Sequence, residues 1–426
     1  MDKPTLTHKI RPSLRPEIVR VRLPVLCITV VSAASALPVA SFAADVYTEP
    51  QLDFRIEHND NFNLTPAGSP DSSVYGYIAD LEALVGIDTP RSETSLRPRV
   101  RFQEYPDVDK LERFEGFFDI DSRYRGERSN LYLSGGYSRR DVYNTETPSG
   151  DFDPIDPGDP DSPEGGTIVV GETRSEMEIR PSFDVRVTER TSIGAGVEYH
   201  TARYDADLGA TTKTDYDFGL VNGFVTWAVS PASDFTVGAY ASRYEAQDDS
   251  VETDAVGGLI GYAYRWSETN GIELSVFNEQ NDTTVFFPVR LEESESSWGG
   301  DLTAYRKNQL STWRFTVGRS FFPTGEQGKS QFDEFRLAYD RDLSQRLSFR
   351  GVARYDSRSR LGTTGVGNDR DYARVDLSLR WFLTQNWYLG GGYSYVWVDR
   401  AQAISDAHNN KLFINFGYRG LSRKPR

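Results

Sequence analysis

Cysteine and histidine are scarce in this sequence of 426 residues, which has one cysteine, Cys27, and four histidines. We expect the segment that contains Cys27 to be removed, so the remaining chain can form no disulfide and has no thiol chemistry. His58, His200 and His408 show no metal-ligand spacing, and no serine lies in a recognisable nucleophile setting. The sequence therefore predicts no enzyme, no metal site and no cofactor.

Long apolar runs are also missing once the N-terminus is set aside. Residues 1–22 carry six basic residues, an apolar stretch covers 23–40, and the small-x-small triplet 41–43 follows. This pattern predicts a secretory signal peptide, residues 1–43, that is cut from the mature chain. A membrane anchor is the alternative, but Pro24 and Pro38 and the short apolar length argue against it. No later segment is apolar enough for a membrane-spanning helix.

Positive charge is in deficit. The chain has 48 basic and 63 acidic residues, for a net charge of −15. Removing residues 1–43 takes away six basic and two acidic residues, which leaves 42 against 61 and a net charge of −19. Because phosphate binding requires a basic surface, the composition disfavours nucleic acid as a partner.

What the rest of the chain does contain is strand-like segments with a period of two. Residues 177–188, for example, alternate Met, Ile, Pro, Phe and Val with Glu, Arg, Ser and Asp. Eighteen such segments follow one another, with 16–18 strands plausible, and every second connection is short. The short connections lie at 89–91, 126–128, 188–190, 230–232, 268–270, 307–309, 342–344 and 383–386. One-sided short turns are typical of bacterial outer-membrane barrels, whose periplasmic turns are short and whose extracellular loops are long. The sequence predicts an all-β chain with a single antiparallel transmembrane β-barrel over 44–420 and a short basic tail at 421–426.

Aromatic side chains cluster near the predicted strand ends, for example at 262–266, 381–388 and 393–397. They are typical of the aromatic girdles at the two membrane interfaces. Ordinary β-propensity is the alternative explanation, because strands favour aromatic residues in any setting.

Charged residues on the inward face of the strands are the candidate functional residues. Arg97, Arg99 and Arg101 should lie opposite the inward acids of the next strand, Glu115, Asp119 and Asp121. Such opposed ladders can line a pore and orient charged solutes, or they can pair with each other and stiffen the lumen, and pairing is favoured because the signs nearly balance. Further inward arginines are candidates for solute contact: Arg180, Arg186, Arg350, Arg354, Arg374 and Arg380.

The longest predicted loop, residues 144–173, is rich in carboxylates and contains five prolines. The carboxylates that could act as oxygen ligands for calcium are Asp151, Asp153, Asp156, Asp159, Asp161 and Glu164. Simple surface charge or disorder is the favoured alternative, because the spacing matches no EF-hand and the prolines prevent that loop's fold.

The mature region resembles the porin-2-type outer-membrane barrels that accompany exopolysaccharide and exosortase systems. The similar stretches are 58–62, His-Asn-Asp-Asn-Phe, and 187–199, with Val-Thr-Glu-Arg-Thr leading into Gly-Ala-Gly-Val-Glu-Tyr. The resemblance implies an outer-membrane barrel linked to polysaccharide secretion or anchoring, and it assigns no catalytic or binding residue. The C-terminus differs from that of many such barrels, because 420–426 follow the last aromatic.

Three functions stay open at this point. The leading hypothesis is a channel or scaffold for a polysaccharide or another hydrophilic solute, without chemistry. The second is a general diffusion porin with the loop at 144–173 folded inward as a constriction. The third is a non-conducting surface protein whose lumen is plugged by its own ion pairs. The expected partners are outer-membrane lipid and lipopolysaccharide, with polysaccharide or periplasmic secretion components as further candidates. The sequence does not set the oligomeric state.

Overall fold

The structure is a computed structural model that describes residues 44–66, 72–108, 113–146, 171–206, 213–248, 250–286, 290–325, 328–361, 369–401 and 405–420. The predicted signal peptide, the tail at 421–426 and the six carboxylates of the long acidic loop lie outside these residues.

Eighteen strands make up nearly all of the described chain, and each corresponds to one of the predicted segments. They are β1 (Asp45–Asn59), β2 (Val74–Asp88), β3 (Ser92–Glu104), β4 (Phe114–Arg125), β5 (Ser129–Asp141), β6 (Glu172–Arg186), β7 (Thr191–Ala206), β8 (Tyr216–Ser230), β9 (Ser233–Ala246), β10 (Val251–Ser267), β11 (Asn270–Val285), β12 (Leu291–Lys307), β13 (Ser311–Thr324), β14 (Gly328–Asp342), β15 (Leu347–Arg360), β16 (Arg370–Phe382), β17 (Trp387–Arg400) and β18 (Ala407–Arg419). One short helix, α1 (Val142–Glu146), follows β5. No helix in the described stretches is both long and apolar enough to cross a membrane.

The strands close into a single antiparallel barrel. Each strand pairs with its neighbours in sequence, and β1 pairs with both β2 and β18. The closing seam runs from the pair of Gln51 and Arg419 to the pair of Asn59 and Lys411. Because the first and last strands are joined, the sheet has no free edge, and the prediction of one closed barrel is confirmed.

The two ends of the barrel differ, as the turn pattern predicts. At one end the connections are tight, and Thr89 N donates to Ser92 O over 2.7 Å in the turn between β2 and β3. We call this the short-turn end, and the opposite end, which carries α1 and the longer connections, the long-loop end. An even strand count and one-sided tight turns place the beginning of β1 and the end of β18 together at the short-turn end.

Alternate side chains of each strand point away from the lumen, and the outward face that they form is apolar. Along β6 the outward residues Met177, Ile179 and Phe183 are 43 %, 43 % and 48 % exposed, although they are large and apolar. Exposed aromatic side chains near the short-turn end form one ring: Trp227, Tyr262, Tyr264, Trp266, Trp313, Trp381 and Trp387. Others lie nearer the long-loop end: Tyr75, Tyr77, Phe114, Trp298 and Tyr355. An apolar band between two aromatic rings is the outer surface expected of strands that face lipid.

Candidate functional site

The arginine ladder of β3 faces the lumen, as its alternation predicts. Arg97 is the register partner of Asp119, and Arg101 is the partner of Glu115 on β4. Arg99 instead faces Phe117, and its guanidinium carbon lies 5.2 Å from the centre of that ring. The expected opposition therefore holds at two of the three arginines, and the third acid, Asp121, has Ser95 as its partner on β3.

The ladder also forms ion pairs with the preceding strand, which were not predicted. Arg99 Nε and Arg101 Nε lie 3.0 and 3.1 Å from Asp80 Oδ1 on β2. Arg97 Nε lies 3.6 Å from Glu82 Oε1, also on β2. The alternation of these two acids with apolar residues over 79–83 was the signal that could have identified them. Since both neighbouring strands supply carboxylates, the ladder is a paired, partly buried wall.

The candidate arginines of β15 and β16 are held in ion pairs of the same kind. Arg374 Nε lies 2.7 Å from Asp376 Oδ2, and Arg354 Nε lies 2.9 Å from Asp356 Oδ1. Both guanidinium groups are at most 10 % exposed, so neither is placed to meet a solute.

Two further arginines on this side lie nearer the short-turn end. Arg350 Nε lies 3.5 Å from Asp340 Oδ1. The guanidinium carbon of Arg380 lies 4.8 Å from the centre of the Tyr388 ring, which holds the cation by a cation–π contact.

On the opposite side, the two predicted arginines of β6 remain open to water. Arg180 pairs with Glu178 on its own strand, yet its side chain is 52 % exposed. Arg186 is exposed at the end of β6, where its backbone N donates to Arg128 O over 2.7 Å. These two side chains are therefore better placed to meet a solute than the paired arginines of β15 and β16.

Charge is distributed unequally around the lumen. By register, the inward basic residues of β13 to β18 are Arg314, Arg336, Arg350, Arg354, Arg358, Arg370, Arg374, Arg380, Arg400, Lys411 and Arg419. The inward acids of the same strands are Glu334, Asp340, Asp342, Asp356 and Asp376. From β4 to β12 the order is reversed, because the inward acids outnumber the inward basic residues. The acids are Glu115, Asp119, Asp121, Glu172, Glu176, Glu178, Asp184, Glu198, Asp234, Glu273, Glu279, Glu293, Glu295 and Asp301, against Arg123, Arg125, Arg140, Arg174, Arg180, Arg186, Arg265 and Lys307. In a ring of eighteen strands these two arcs lie across from each other, so inward charges of opposite sign predominate on opposite sides of the lumen.

At the long-loop end, the segment after β1 folds into the lumen. The Phe62 ring stacks on Tyr143 of α1, with centroids 4.1 Å apart and planes within 12°. Leu64 is buried against Tyr372 and other residues of β16 to β18, and it has a φ of +47°, which L-amino acids seldom adopt. Asn61 holds this turn, because its Oδ1 accepts hydrogen bonds from Thr65 N and from two hydroxyl groups.

The other partners of Phe62 fix α1 and the end of β3 in the same place. Tyr105 lies against Phe62 and donates a hydrogen bond of 2.8 Å to Glu57 Oε1. Burial and the nearby Glu57 carboxylate raise the pKa of Tyr105 well above its usual value, so the hydroxyl stays protonated and able to donate. Asn144 of α1 donates to Glu115 Oε1 over 2.6 Å. α1 therefore lies against lumen-facing residues at this end. The predicted constriction by the loop at 144–173 stays a prediction, because residues 147–170 lie outside the described chain.

The hairpin of β13 and β14 enters the lumen from the other side. Lys329, at the start of β14, has its Nζ within 3.3 Å of Glu279 Oε1 and 3.2 Å of both Asn281 Oδ1 and Ser242 Oγ. Tyr244 donates to the carbonyl of Thr324 over 3.1 Å at the tip of the same hairpin. The tip is therefore fastened to β9 and β11 by a buried ammonium and by hydrogen bonds.

Together these inward segments form a contact path across the long-loop end of the lumen. Val142 of α1 packs in one apolar cluster with Tyr216 and Tyr244, and Tyr244 in turn bonds the hairpin tip. Phe62 and Leu64 continue the path to β16 to β18. Neither Phe62 nor Lys329 was predicted to be a lumen residue, because Phe62 lies in a loop and Lys329 alternates with the inward residues of β14.

The three histidines are dispersed in the structure. His200 Nε2 lies 3.1 Å from Glu176 Oε1 and 3.4 Å from the Tyr216 hydroxyl, inside a network of arginines. His58 Nε2 lies 3.0 Å from Ser73 Oγ. Within the part of the chain that the structure covers, no group of three or more His, Cys, Asp or Glu residues is arranged to hold a metal ion.

No protein-family model matches this chain, and no curated protein matches it. Solved structures with a similar outline include Pseudomonas aeruginosa OpdO, with a TM-score of 0.44, 11 % identity and coverage of 89 % of this chain and 98 % of that one. Pseudomonas aeruginosa OccK2 (OpdF) in complex with glucuronate has a TM-score of 0.45 and 11 % identity, with coverage of 88 % of this chain and 99 % of that one. Acinetobacter baumannii OccAB4 has a TM-score of 0.42 and 10 % identity, with coverage of 88 % of this chain and 98 % of that one. Similarity at this level transfers neither a solute nor a role to this chain.

Proposed function

We propose that this protein is an outer-membrane channel that lets small hydrophilic solutes pass without chemical change. The apolar outer band with its aromatic rings supports placement in a membrane. A barrel of eighteen strands has room for water inside, and this lumen is lined with charged and hydroxyl side chains. In this assignment the short-turn end faces the periplasm and the long-loop end faces outward.

The observation that carries the proposal is the separation of charge across the lumen. A solute that crosses between the basic arc of β13 to β18 and the acidic arc of β4 to β12 is oriented by the field between them. If the inward charges served only to stabilise the fold, we would expect each to pair with a neighbouring charge of opposite sign. Here Asp121 is exposed and Arg180 is half exposed, on strands that face the lumen water.

Ion selectivity in a planar lipid bilayer tests this proposal. Arg180→Glu removes a half-exposed cation and adds an anion, and we expect the reversal potential in a salt gradient to move towards cation selectivity. Arg319→Glu is a matched control, because Arg319 lies on the outward face of β13 beside Asp333. A reversal potential that responds to neither variant, or equally to both, would contradict a conducting lumen lined by Arg180.

A non-conducting surface barrel is the second candidate function. The observation that favours it is the contact path at the long-loop end, in which Phe62, Tyr143 and Tyr244 link opposite walls. Such a protein would carry no current even when correctly folded, and its long loops would serve as the binding surface.

The exopolysaccharide association implied by the sequence resemblance is a finer hypothesis within the first function. None of the comparisons supports it, and it stays a prediction. Genes for glycosyltransferases or chain-length regulators beside the gene for this protein would favour it, and loss of surface polysaccharide on deletion of the gene would test it directly.

A further inference from the structure

The barrel wall has a gap in its strand pairing at the long-loop end, between β12 and β13. β12 pairs with β11 along nearly its whole length, up to Leu291. With β13 it pairs only as far as Gly300, whose partner is Arg319. Residues 291–299 of β12 therefore have no neighbouring strand on that side within the described chain.

β13 leaves the wall at this point because its hairpin with β14 turns into the lumen. Alternation along β13 places Phe321 on the outward face with Arg319. The centre of its ring nevertheless lies 5.9 Å from that of Phe277, an inward residue of β11. A Cβ added at Gly299 would lie only 2.7 Å from the carbonyl oxygen of Arg319, so β12 needs glycine where β13 turns away. The hairpin thus passes on the lumen side of β12 and leaves the edge of β12 without a strand beside it.

The alternation of the ladder shows which backbone groups lie on this edge. Lys307 N donates to Thr269 O on the β11 side over 2.9 Å. Asn308 N donates to Ser311 O on the β13 side over 2.7 Å. Because successive residues of a strand turn their N–H and C=O groups to opposite sides, the even-numbered residues of β12 turn theirs away from β11. Beyond Gly300 these groups have no backbone partner among the described residues. The residues that carry them, which we call the β12 edge, are Glu292, Ser294, Ser296 and Trp298.

The two sides of the gap differ in their capacity to pair with another strand. On β13 the odd-numbered residues face β12, because Ser311 O accepts the hydrogen bond from that side. Beyond Arg319 the next residues that face the gap are Phe321 and Pro323. Proline has no N–H group, so Pro323 removes a donor from the β13 side. The β12 edge keeps every N–H and C=O group, and an extended chain can add to such an edge as a further strand.

The side chains around the β12 edge are mostly acidic and open to solvent. Glu292 and Glu295 are exposed on opposite faces of the strand, and Glu293 lies between them. Glu292 pairs with Arg290 over 2.9 Å, but both side chains are more than half exposed, so this surface pair is weak. Trp298 is 66 % exposed at the end of the edge nearest the paired part of β12.

These charges limit the kind of strand that can be added. A second copy of β12 would bring glutamates close to glutamates, and like charges that lie opposite each other destabilise a strand pair. Lysine or arginine on an added strand would instead pair with Glu292 and Glu295, and a cation beside Trp298 would also contact the face of the indole ring.

We propose that the β12 edge binds an extended basic segment of a partner protein, which adds to the barrel wall as a further strand. Hydrogen bonds to the N–H and C=O groups of the edge hold the segment, and its lysine or arginine side chains pair with Glu292 and Glu295. In the orientation proposed above, the edge lies at the outer end of the barrel, so the partner reaches it from outside the cell. This interaction goes beyond the channel function and needs no current through the lumen.

The test is the fluorescence anisotropy of a labelled peptide of alternating lysine and valine, titrated with the mature protein in a non-ionic detergent. The peptide is about as long as residues 291–298. One control peptide has glutamate in place of lysine. The other keeps the lysines but carries N-methyl groups on two adjacent central residues, which blocks hydrogen bonding along both of its edges. We expect the lysine peptide to bind and each control peptide to bind at least about tenfold more weakly.

Ser296→Pro removes one N–H group of the β12 edge and leaves the ladder with β11 in place, because that N–H points away from β11. Ser296→Ala is the matched control. Both variants lose the Ser296 hydroxyl, which accepts a hydrogen bond of 3.2 Å from Asn278 Nδ2, but alanine keeps the N–H. We expect Ser296→Pro to weaken binding of the lysine peptide about tenfold and Ser296→Ala to change it less than about twofold. Heat-modifiable migration on a gel would show that each variant is folded.

Glu292→Gln combined with Glu295→Gln tests the charge without a backbone change, and it keeps the proposal testable if Ser296→Pro fails to fold. This double variant should weaken binding of the lysine peptide several-fold and reduce the dependence of Kd on salt concentration. Glu127→Gln combined with Glu189→Gln is the control, because these exposed residues of two short turns carry the same charge at the other end of the barrel. It should change neither quantity.

Four results would overturn the proposal. No binding of the lysine peptide, or equal binding of the glutamate peptide, would exclude a basic partner. Equal binding of the N-methylated peptide would show attraction by charge alone, without strand addition. Binding that is unchanged in Ser296→Pro and in the double glutamine variant would place the peptide elsewhere on the protein. A dimer of the purified protein that Ser296→Pro abolishes would show that the β12 edge pairs with a second copy of the chain.

Discussion

Replacing Lys329 by methionine should release the hairpin of β13 and β14 from the lumen wall. Lys329 and Glu279 are 5 % and 3 % exposed, and the ammonium is bonded to Glu279, Asn281 and Ser242. Removing the ammonium leaves the Glu279 carboxylate buried, and its remaining donors among the described residues are Tyr240 and Asn281, at 3.1 and 2.9 Å. Breaking one side of a buried ion pair costs about 3–5 kcal/mol.

This cost destabilises the inward position of the hairpin relative to an outward one, because an outward swing of the hairpin exposes the Glu279 carboxylate to water. A shift of about 3 kcal/mol changes the ratio of inward to outward positions by more than a hundredfold. Single-channel recording should therefore show Lys329→Met with a higher conductance or a larger open fraction than the parent protein. Adding Glu279→Leu to Lys329→Met removes the unpaired carboxylate and should restore most of the parent behaviour.

Arg319→Met is the control on the same hairpin. Arg319 pairs with Asp333 on the outward face, where both side chains are more than a third exposed, and such a pair contributes about 0–1 kcal/mol. Its currents should match those of the parent. If Lys329→Met also matches the parent, or if the double variant is as open as the single one, the Lys329 ammonium does not hold the hairpin inward.

Three further predictions concern the other inward side chains. Arg374→Ala leaves Asp376 buried without its cation and should lower the free energy of unfolding by about 3–5 kcal/mol, seen as gel migration of the unfolded form at a lower temperature. Arg99→Gln should lower heat resistance while the reversal potential stays unchanged, since Arg99 is engaged by Asp80, and a large selectivity shift would contradict the paired ladder. Phe62→Ala removes a buried ring and its stack on Tyr143, which should destabilise the inward turn by about 3–5 kcal/mol. Channel conductance should therefore rise, and unchanged conductance would show that this turn does not limit the pore.

The barrel was predictable from the sequence because the pattern that identifies each strand lies within that strand. Alternation in segments such as 177–188 fixes which face is inward, and the short turns fix the order and the side of the connections. Neighbouring strands joined by short turns pair with each other, so their registers follow from local patterns. The closing pair of β1 and β18 has no connecting turn, and it follows instead from the need to pair both edge strands.

The site was only partly predictable, because lumen contacts join residues far apart in the chain. Sequence alternation placed Arg99 and Arg101 on the inward face, yet their carboxylate partner, Asp80, comes from the preceding strand. Lys329 and Glu279 lie 50 residues apart, and only the inward path of the hairpin brings them together. Inward folding of loops depends on packing against distant strands, which no local pattern records.

The most direct test of the account is the current that the purified mature protein carries in a planar bilayer, recorded beside Lys329→Met. Heat-modifiable migration on a gel would show that each preparation is folded. We expect small, steady single-channel currents for the parent protein and larger ones for Lys329→Met. Silence from both folded proteins would contradict a water-filled lumen and favour the non-conducting surface barrel.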